Sequence, residues 1–289
     1  TGVQTCALLL LKSIELCIET IESFKKTIGS INYIREQRLI EQKLIHDRYG
    51  ENEVVHLNAI DECSKDLINR LNDVVNEHSI LSNNLDGSYL YRLINENEEI
   101  SYETYKKHYK NITDNYASLK KYGLTENEIS FLQELPKERV DQFGIELSIY
   151  FKDSFKKYNV FKPLIEKLNL YESIVNDKLQ FKSLNINKND GMSVVNDSEK
   201  MLELTSLSSG EQEIIILFYK LIFENDSRII LIDEPEISLH VLWQREIMKD
   251  FMRVQKLNGN LQIIIATHSP QIIGDNWDSQ IDLAEQVNE

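Results

Sequence analysis

Apolar positions along this chain recur with two different periods, and the change of period marks its organisation. Ile14, Ile18, Ile21 and Ile28 stand near 3.6 apart, which predicts an amphipathic helix over residues 12–28, ended by Gly29-Ser30. INYI at 31–34 is β-branched and aromatic and predicts a strand leading into REQRL. From about residue 39 to 177 glycine and proline become rare, and Leu67, Leu71 and Val74/Val75 follow helical spacing. No heptad persists, so this stretch is expected to form several helices rather than a long coiled coil. Breaks are expected near Tyr49-Gly50-Glu51-Asn52, Asp86-Gly87, Gly123-Leu124-Thr125 and Leu135-Pro136, with a helix start at Thr125-Glu126-Asn127-Glu128.

The period then switches to two. KLQFKSLNI at 178–186 alternates, runs into the turn NKNDG and continues as MSVVN, predicting a hairpin. Helix and strand alternate after that. Glu211–Phe223 reads as an apolar-rich helix, and Arg228–Ile232 as a buried strand. Trp243, Ile247, Phe251 and Val254 line one face of a further helix, and Gln262–Ala266 reads as a second buried strand. Two apolar strands joined by a helix imply a parallel pair with a right-handed crossover. The expected fold class is α/β: a parallel sheet with flanking helices, carrying an all-α helical insertion.

The composition permits such a core. The chain has 289 residues, 42% of them hydrophobic and 27% charged. The longest apolar run near the start, ALLLL, is closed by Lys12 and falls well short of the ~20 residues of a membrane span, and no signal peptide is legible. Cys6, Cys17 and Cys63 have no metal-ligand spacing, so free thiols in a reducing cytoplasm are expected. The net charge of −15 argues against indiscriminate coating of nucleic acid. Lys106, Lys107 and Lys110, or Lys156 and Lys157, could line a local basic groove for DNA, but such lysines more often form a solvated helix face.

Three short runs carry the chemistry. In IILIDEPE, four apolar residues place a strand inside a sheet, and Asp233 and Glu234 follow at its carboxyl end, where α/β sheets bind ligands. Beside a triphosphate, one such acid orders Mg²⁺ and the other polarises the attacking water. Alone, the run also fits a strand entering an acidic turn. In LSSGEQ, the small residues Ser208, Ser209 and Gly210 precede a helix, so backbone N–H groups can approach an anion. Taken by itself, this motif reads better as an N-cap with Glu211 in the first turn. In IIIATHSPQII, His268 emerges at the end of the second strand, where it can hydrogen-bond a terminal phosphate.

In this order and spacing, LSSGEQ, LIDEPE and ATHS together resemble the ABC-type ATPases. The resemblance implies an ABC-ATPase-type core with ATP and Mg²⁺ as cofactors. It makes LSSGEQ the signature loop, with Ser208 and Gly210 touching phosphate, and LIDEPE the Walker B strand. Asp233 then stands on the metal side and Glu234 is the base. SLH, Ser238 to His240, occupies the D-loop position, and His268 matches the switch histidine. Transporter subunits usually end the D-loop in Asp, where this chain has His240. DEPEISLH and THSPQII instead resemble the RecF, OLD and SMC-like ATPases, including the ATPase of Septu-type phage-defence systems and related retron effectors. In that branch a helical insertion precedes the signature loop.

The resemblance implies a remnant of the N-terminal ATPase lobe at 9–38, a helical insertion at 39–177 and a C-terminal ATPase lobe at 178–289. Gln37 becomes a candidate Q-loop residue, although it could equally be a surface residue at a strand end. No GxxxxGK[ST] occurs in the sequence. TGVQTCAL at 1–8 resembles the translation of a common sequencing adapter, which implies an artefact joined to a truncated gene. The 289-residue chain alone is therefore expected to lack ATPase activity. The expected whole is a homodimer closed around ATP that controls a separate effector, such as a nuclease in phage defence. DNA repair, transport and a non-catalytic scaffold are the alternatives.

Overall fold

The computed structural model describes residues 31–36, 38–46, 52–125, 133–224, 227–274 and 280. The expected helix at 12–28, the segment 1–8, Cys6, Cys17, Gln37 and the helix start at 126–128 lie outside the described residues. In chain order the strands are β1 (Ile31–Ile34), β2 (Ile40–His46), β3 (Asn52–Asn58), β4 (Lys182–Asn187), β5 (Gly191–Asn196), β6 (Met201–Leu202), β7 (Ile229–Asp233) and β8 (Gln262–Ala266). The α-helices are α1 (Ala59–Gly87), α2 (Tyr89–Asn95), α3 (Tyr102–Lys121), α4 (Lys137–Gln142), α5 (Gly144–Asn176), α6 (Ser209–Phe223), α7 (Val241–Asn258) and α8 (Pro270–Ile273). The chain divides into two compact units, one made by the segment up to Ile40 together with Ser208 onward, the other by Glu41–Leu207.

The first unit is built on a parallel sheet of order β1-β7-β8. β7 pairs with β8 from Ile229↔Gln262 to Asp233↔Ala266, and with β1 from Ile31↔Ile229 to Ile34↔Ile232. The α/β class and the parallel pair linked by a helix are therefore present as expected. Ile34, Ile230 and Ile232 form the buried face. α6 is apolar on nearly every side and is buried accordingly, from Ile214 through Phe223. Its Phe218 ring lies 5.8 Å from Phe251 of α7, whose Ile247 and Val254 are buried on the same stripe.

One expectation fails here. β8 is not a buried strand: Ile264 is 53% exposed, and on β1, at the other edge of the sheet, Tyr33 is 52% and Ile31 is 42% exposed. The register puts Tyr33, Leu231 and Ile264 side by side, so this whole face of the sheet is open while the other is covered. An apolar run reports the hydrophobicity of both faces, not which elements cover them.

The second unit holds α1 to α5 and an antiparallel sheet of order β4-β5-β6. Leu67 and Leu71 of α1 and Leu168, Tyr171, Ile174 and Val175 of α5 are fully buried. Helix breaks fall at Gly87, at Gly123 (φ 67°) and at Pro136, as expected. The helical pattern does not begin near residue 39, however. Residues 40–46 and 52–58 are strands paired in a two-stranded sheet, and helix starts only at Ala59. IEQKLIH consists mainly of good helix formers, and its strand state is set by pairing with β3; Tyr49, Gly50 and Glu51 of the expected break lie outside the described residues.

The hairpin was grouped with the C-terminal lobe from sequence, yet it belongs to the helical unit. The Asn176 side chain at the end of α5 bonds both backbone groups of Leu184, at 2.7 and 3.1 Å, and Met192 N donates to Ser64 Oγ of α1 at 2.9 Å. Gly191 (φ 68°) permits that approach, since a Cβ there would lie 2.5 Å from Ser64 Oγ. β4 also starts later than the alternation indicates, because Phe181 is exposed and takes a left-handed backbone (φ 59°).

Two of the lysines weighed for DNA have partners within the helical unit. Lys106 covers the Tyr102 ring at 4.8 Å, and Lys157 pairs with Asp86 at 3.1 Å. Two histidines sit among aromatics: His78 against Phe161, and His108 against Phe151 and Phe155. Both have pKa values lowered by burial first, then by Lys157 and Lys107 respectively. The unfolded chain therefore takes up these protons at a higher pH than the folded one. Stability is full above the ordinary histidine value of about 6.5 and falls as the pH drops toward the lowered folded values. The thermal midpoint is expected to fall between pH 7.5 and 5, and less so in His78→Gln/His108→Gln; an identical fall in the double variant would contradict this.

Candidate functional site

The carboxyl end of the parallel sheet gathers the acids. Asp233 is the last residue of β7, and Tyr33 of β1 donates its hydroxyl to Asp233 Oδ2 at 2.9 Å. Glu234 follows with a left-handed backbone (φ 42°), while its N–H still donates to Ala266 O at 2.9 Å. A non-glycine residue in that region is strained, as is common where a side chain must be aimed. The turn directs the Glu234 carboxylate toward the end of β8, where Oε1 lies 3.3 Å from His268 Nε2. The Glu234 side chain is 19% exposed, and that of His268 95%. The Glu234 carboxyl is shifted above the usual range by desolvation first and by the neighbouring charge of Glu236 next, with His268 opposing. A carboxylate with raised proton affinity beside open solvent can take a proton from water.

Glu236 ties the two strand ends together. Its Oε1 accepts from Thr267 Oγ1 and from Ser269 N, the latter at 3.0 Å. Arg38, just after β1, forms a buried ion pair with Glu213 of α6 (2.6 Å) and donates to Pro235 O (3.4 Å). One guanidinium thus joins the segment after β1, the acidic turn and the helix that follows LSSGEQ.

Ser208 is the N-cap of α6 in a full capping box. Its Oγ accepts from Glu211 N at 3.4 Å, and the Glu211 carboxylate accepts from Ser208 N at 2.9 Å. The bland reading of LSSGEQ as a cap is therefore part of the structure. It does not exhaust the motif, because the first turn of a helix directs N–H groups outward without intrahelical acceptors. Gly210 has a separate steric reason: a Cβ would lie 2.5 Å from Ser238 O and 3.3 Å from Trp243. Ser238 is itself left-handed (φ 66°), and His240 caps α7 through Nδ1, which accepts from Leu242 N at 3.3 Å. The LSSGEQ and SLH segments are thus packed on each other. Among the described residues, the contacts of Ser208, Ser209 and Gly210 do not reach Glu234 or His268. Gln37 lies outside the described residues.

Among the described residues, no cluster of three histidine, cysteine or acidic side chains could hold a metal by itself. Asp233 offers one carboxylate at the sheet end, and that suits Mg²⁺, which takes few protein ligands and completes its shell with phosphate and water. No helix among the described residues is long and apolar enough to cross a membrane. Sequence reasoning missed Tyr33, Arg38, Glu213 and Glu236. Glu236, the third acid of DEPE, was the one available signal, because it stands inside the motif.

A parallel sheet ending in Asp-Glu, a histidine at the next strand end and a capped glycine-bearing helix start are the parts expected of an AAA/ABC-type ATPase core. Residues 60–274 match the family described as "AAA domain, putative AbiEii toxin, Type IV TA system", and the chain belongs to it. It is 30% identical to the "Retron Ec83 probable ATPase" of Escherichia coli over a region covering 39% of this chain and 25% of that protein. The chain therefore spans about a quarter of the length of this relative. Among solved structures, it aligns with an Smc head bound to the C-terminal winged-helix domain of ScpA at 12% identity, covering 42% of this chain and 39% of that chain (TM-score 0.31). It also aligns with a Pyrococcus furiosus Smc head bound to the C-terminal domain of ScpA, at 15% identity, covering 74% and 51% (TM-score 0.31).

Proposed function

We propose that this chain is the signature and Walker B part of an ATPase that closes as a homodimer around ATP and Mg²⁺ and thereby controls a separate effector. The observation that carries the reading is Glu234: a carboxyl of raised proton affinity, 3.3 Å from an exposed histidine, at the carboxyl end of a parallel sheet. Glu234 takes a proton from the attacking water. His268, on the solvent side of it, donates to the terminal phosphate and registers its departure. Asp233, held by Tyr33, faces the metal, which on binding would neutralise phosphate charge. Ser209 and Gly210 supply backbone donors at a helix start, which act on a nucleotide brought by a second copy. A complete ATP site would also need a phosphate-cradling GxxxxGK[ST] loop, a motif that does not occur in this sequence.

The effector is proposed to be a protein, a nuclease in phage defence being the reading closest to the retron ATPase relative. None of the residues given a role in hydrolysis above lies in the helical unit, whose surface exposes Leu90, Tyr91 and Ile94, an apolar patch suited to a protein partner. The test is a pull-down from cells carrying the native neighbouring genes, with the complete protein and with a variant lacking residues 59–176. Effector capture is expected to vanish with the deletion while ATP-driven dimerisation persists; unchanged capture would refute the assignment.

A further inference from the structure

Glu236 is the acid of DEPE that, beyond its charge raising the proton affinity of Glu234, has no task in the chemistry above. Its Oε1 receives two donors from the end of β8, Thr267 Oγ1 and Ser269 N. Ser269 Oγ donates in turn to Gln244 Oε1 at 3.1 Å, and Gln244 Nε2 donates to Leu239 O at 3.1 Å. The loop leaving β8 is therefore pinned on both sides of one residue, and that residue is His268. The His268 side chain is 95% exposed, so packing cannot fix its direction, yet Nε2 stands 3.3 Å from Glu234. An imidazole on an unpinned loop would spread over several rotamers and backbone angles. Here its direction is set by its two neighbours, and both are held by the same carboxylate oxygen. The second oxygen, Oε2, is buried without a hydrogen-bond partner among the described residues.

We propose that Glu236 is a positioning residue for ATP hydrolysis, holding the Thr267–Ser269 loop so that His268 faces Glu234 and the terminal phosphate. This rests on the roles given above to Glu234 and His268. The test uses the complete protein and measures turnover, nucleotide affinity and the unfolding midpoint together. Glu236→Ala is expected to lower kcat by about 10²-fold with nucleotide affinity nearly unchanged, the scale of a misplaced reacting group. Glu236→Gln keeps the Oε1 acceptor and should restore most of that loss. Thr267→Val removes one donor to the same oxygen and should lower kcat in the same direction. The decisive arm is the double variant. If Glu236 acts through His268, adding His268→Ala to Glu236→Ala costs nothing further. The proposal is overturned if the two losses multiply, if Glutamine rescue fails, or if His268→Ala slows turnover while Glu236→Ala does not. Unchanged turnover in His268→Ala alone would instead overturn the role given to the histidine.

Discussion

Glu234→Gln is expected to bind ATP and to hydrolyse it roughly 10²–10⁴-fold more slowly in the complete protein, the usual cost of losing a general base. The amide keeps the shape of the carboxylate, so the left-handed turn at Glu234 and its N–H bond to Ala266 O should survive. What disappears is the proton acceptor. Asp233 and the contact from Tyr33 are untouched, so the metal side should still operate. Single-turnover phosphate release alongside equilibrium nucleotide binding separates the two effects. Loss of nucleotide binding itself would mean that Glu234, not Asp233, serves the metal.

The second large effect is on folding. Arg38 and Glu213 are 1% and 4% exposed, and their 2.6 Å pair joins the segment after β1 to α6. Removing one partner strands a buried charge, so Arg38→Ala or Glu213→Ala should each destabilise the fold by about 3–5 kcal/mol. Replacing both with apolar residues of similar volume, Arg38→Met/Glu213→Leu, should recover most of that loss, since a well-packed apolar pair is often as stable. Urea unfolding of the singles and the double decides it: singles within about 0.5 kcal/mol of the parent, the usual size of a surface change, would show that the pair is not buried in solution.

The parts of this protein legible from sequence were those in which chemistry is local. LIDEPE carries its own strand, turn and acids, and ATHS places its histidine at a strand end, so Asp233, Glu234 and His268 could be named without a fold. LSSGEQ also signalled its helix start and its N-cap, and Ser208 is that cap, in a full capping box with Glu211. What escaped depends on partners far away in the chain. Tyr33 meets Asp233 and Arg38 meets Glu213 across separations of 200 and 175 residues, which no window along the sequence spans. β2 escaped because strand pairing overrode the helix preference of Glu, Gln, Lys and Leu. The openness of β8 escaped because hydrophobicity does not say which face of a sheet is covered. Glu236 was written in the motif but needed the geometry of the β8 loop to acquire a purpose.

The central claim, an engine completed by two copies closing on ATP, is tested most directly by light scattering on size-exclusion fractions of the complete protein carrying Glu234→Gln. With ATP and Mg²⁺ it should run as a dimer, and without nucleotide as a monomer. Adding Ser208→Arg, which puts bulk and charge at the start of α6, should return it to monomer while each copy still binds nucleotide. A Glu234→Gln protein that binds ATP yet stays monomeric at every concentration, or a dimer indifferent to Ser208→Arg, would contradict the account.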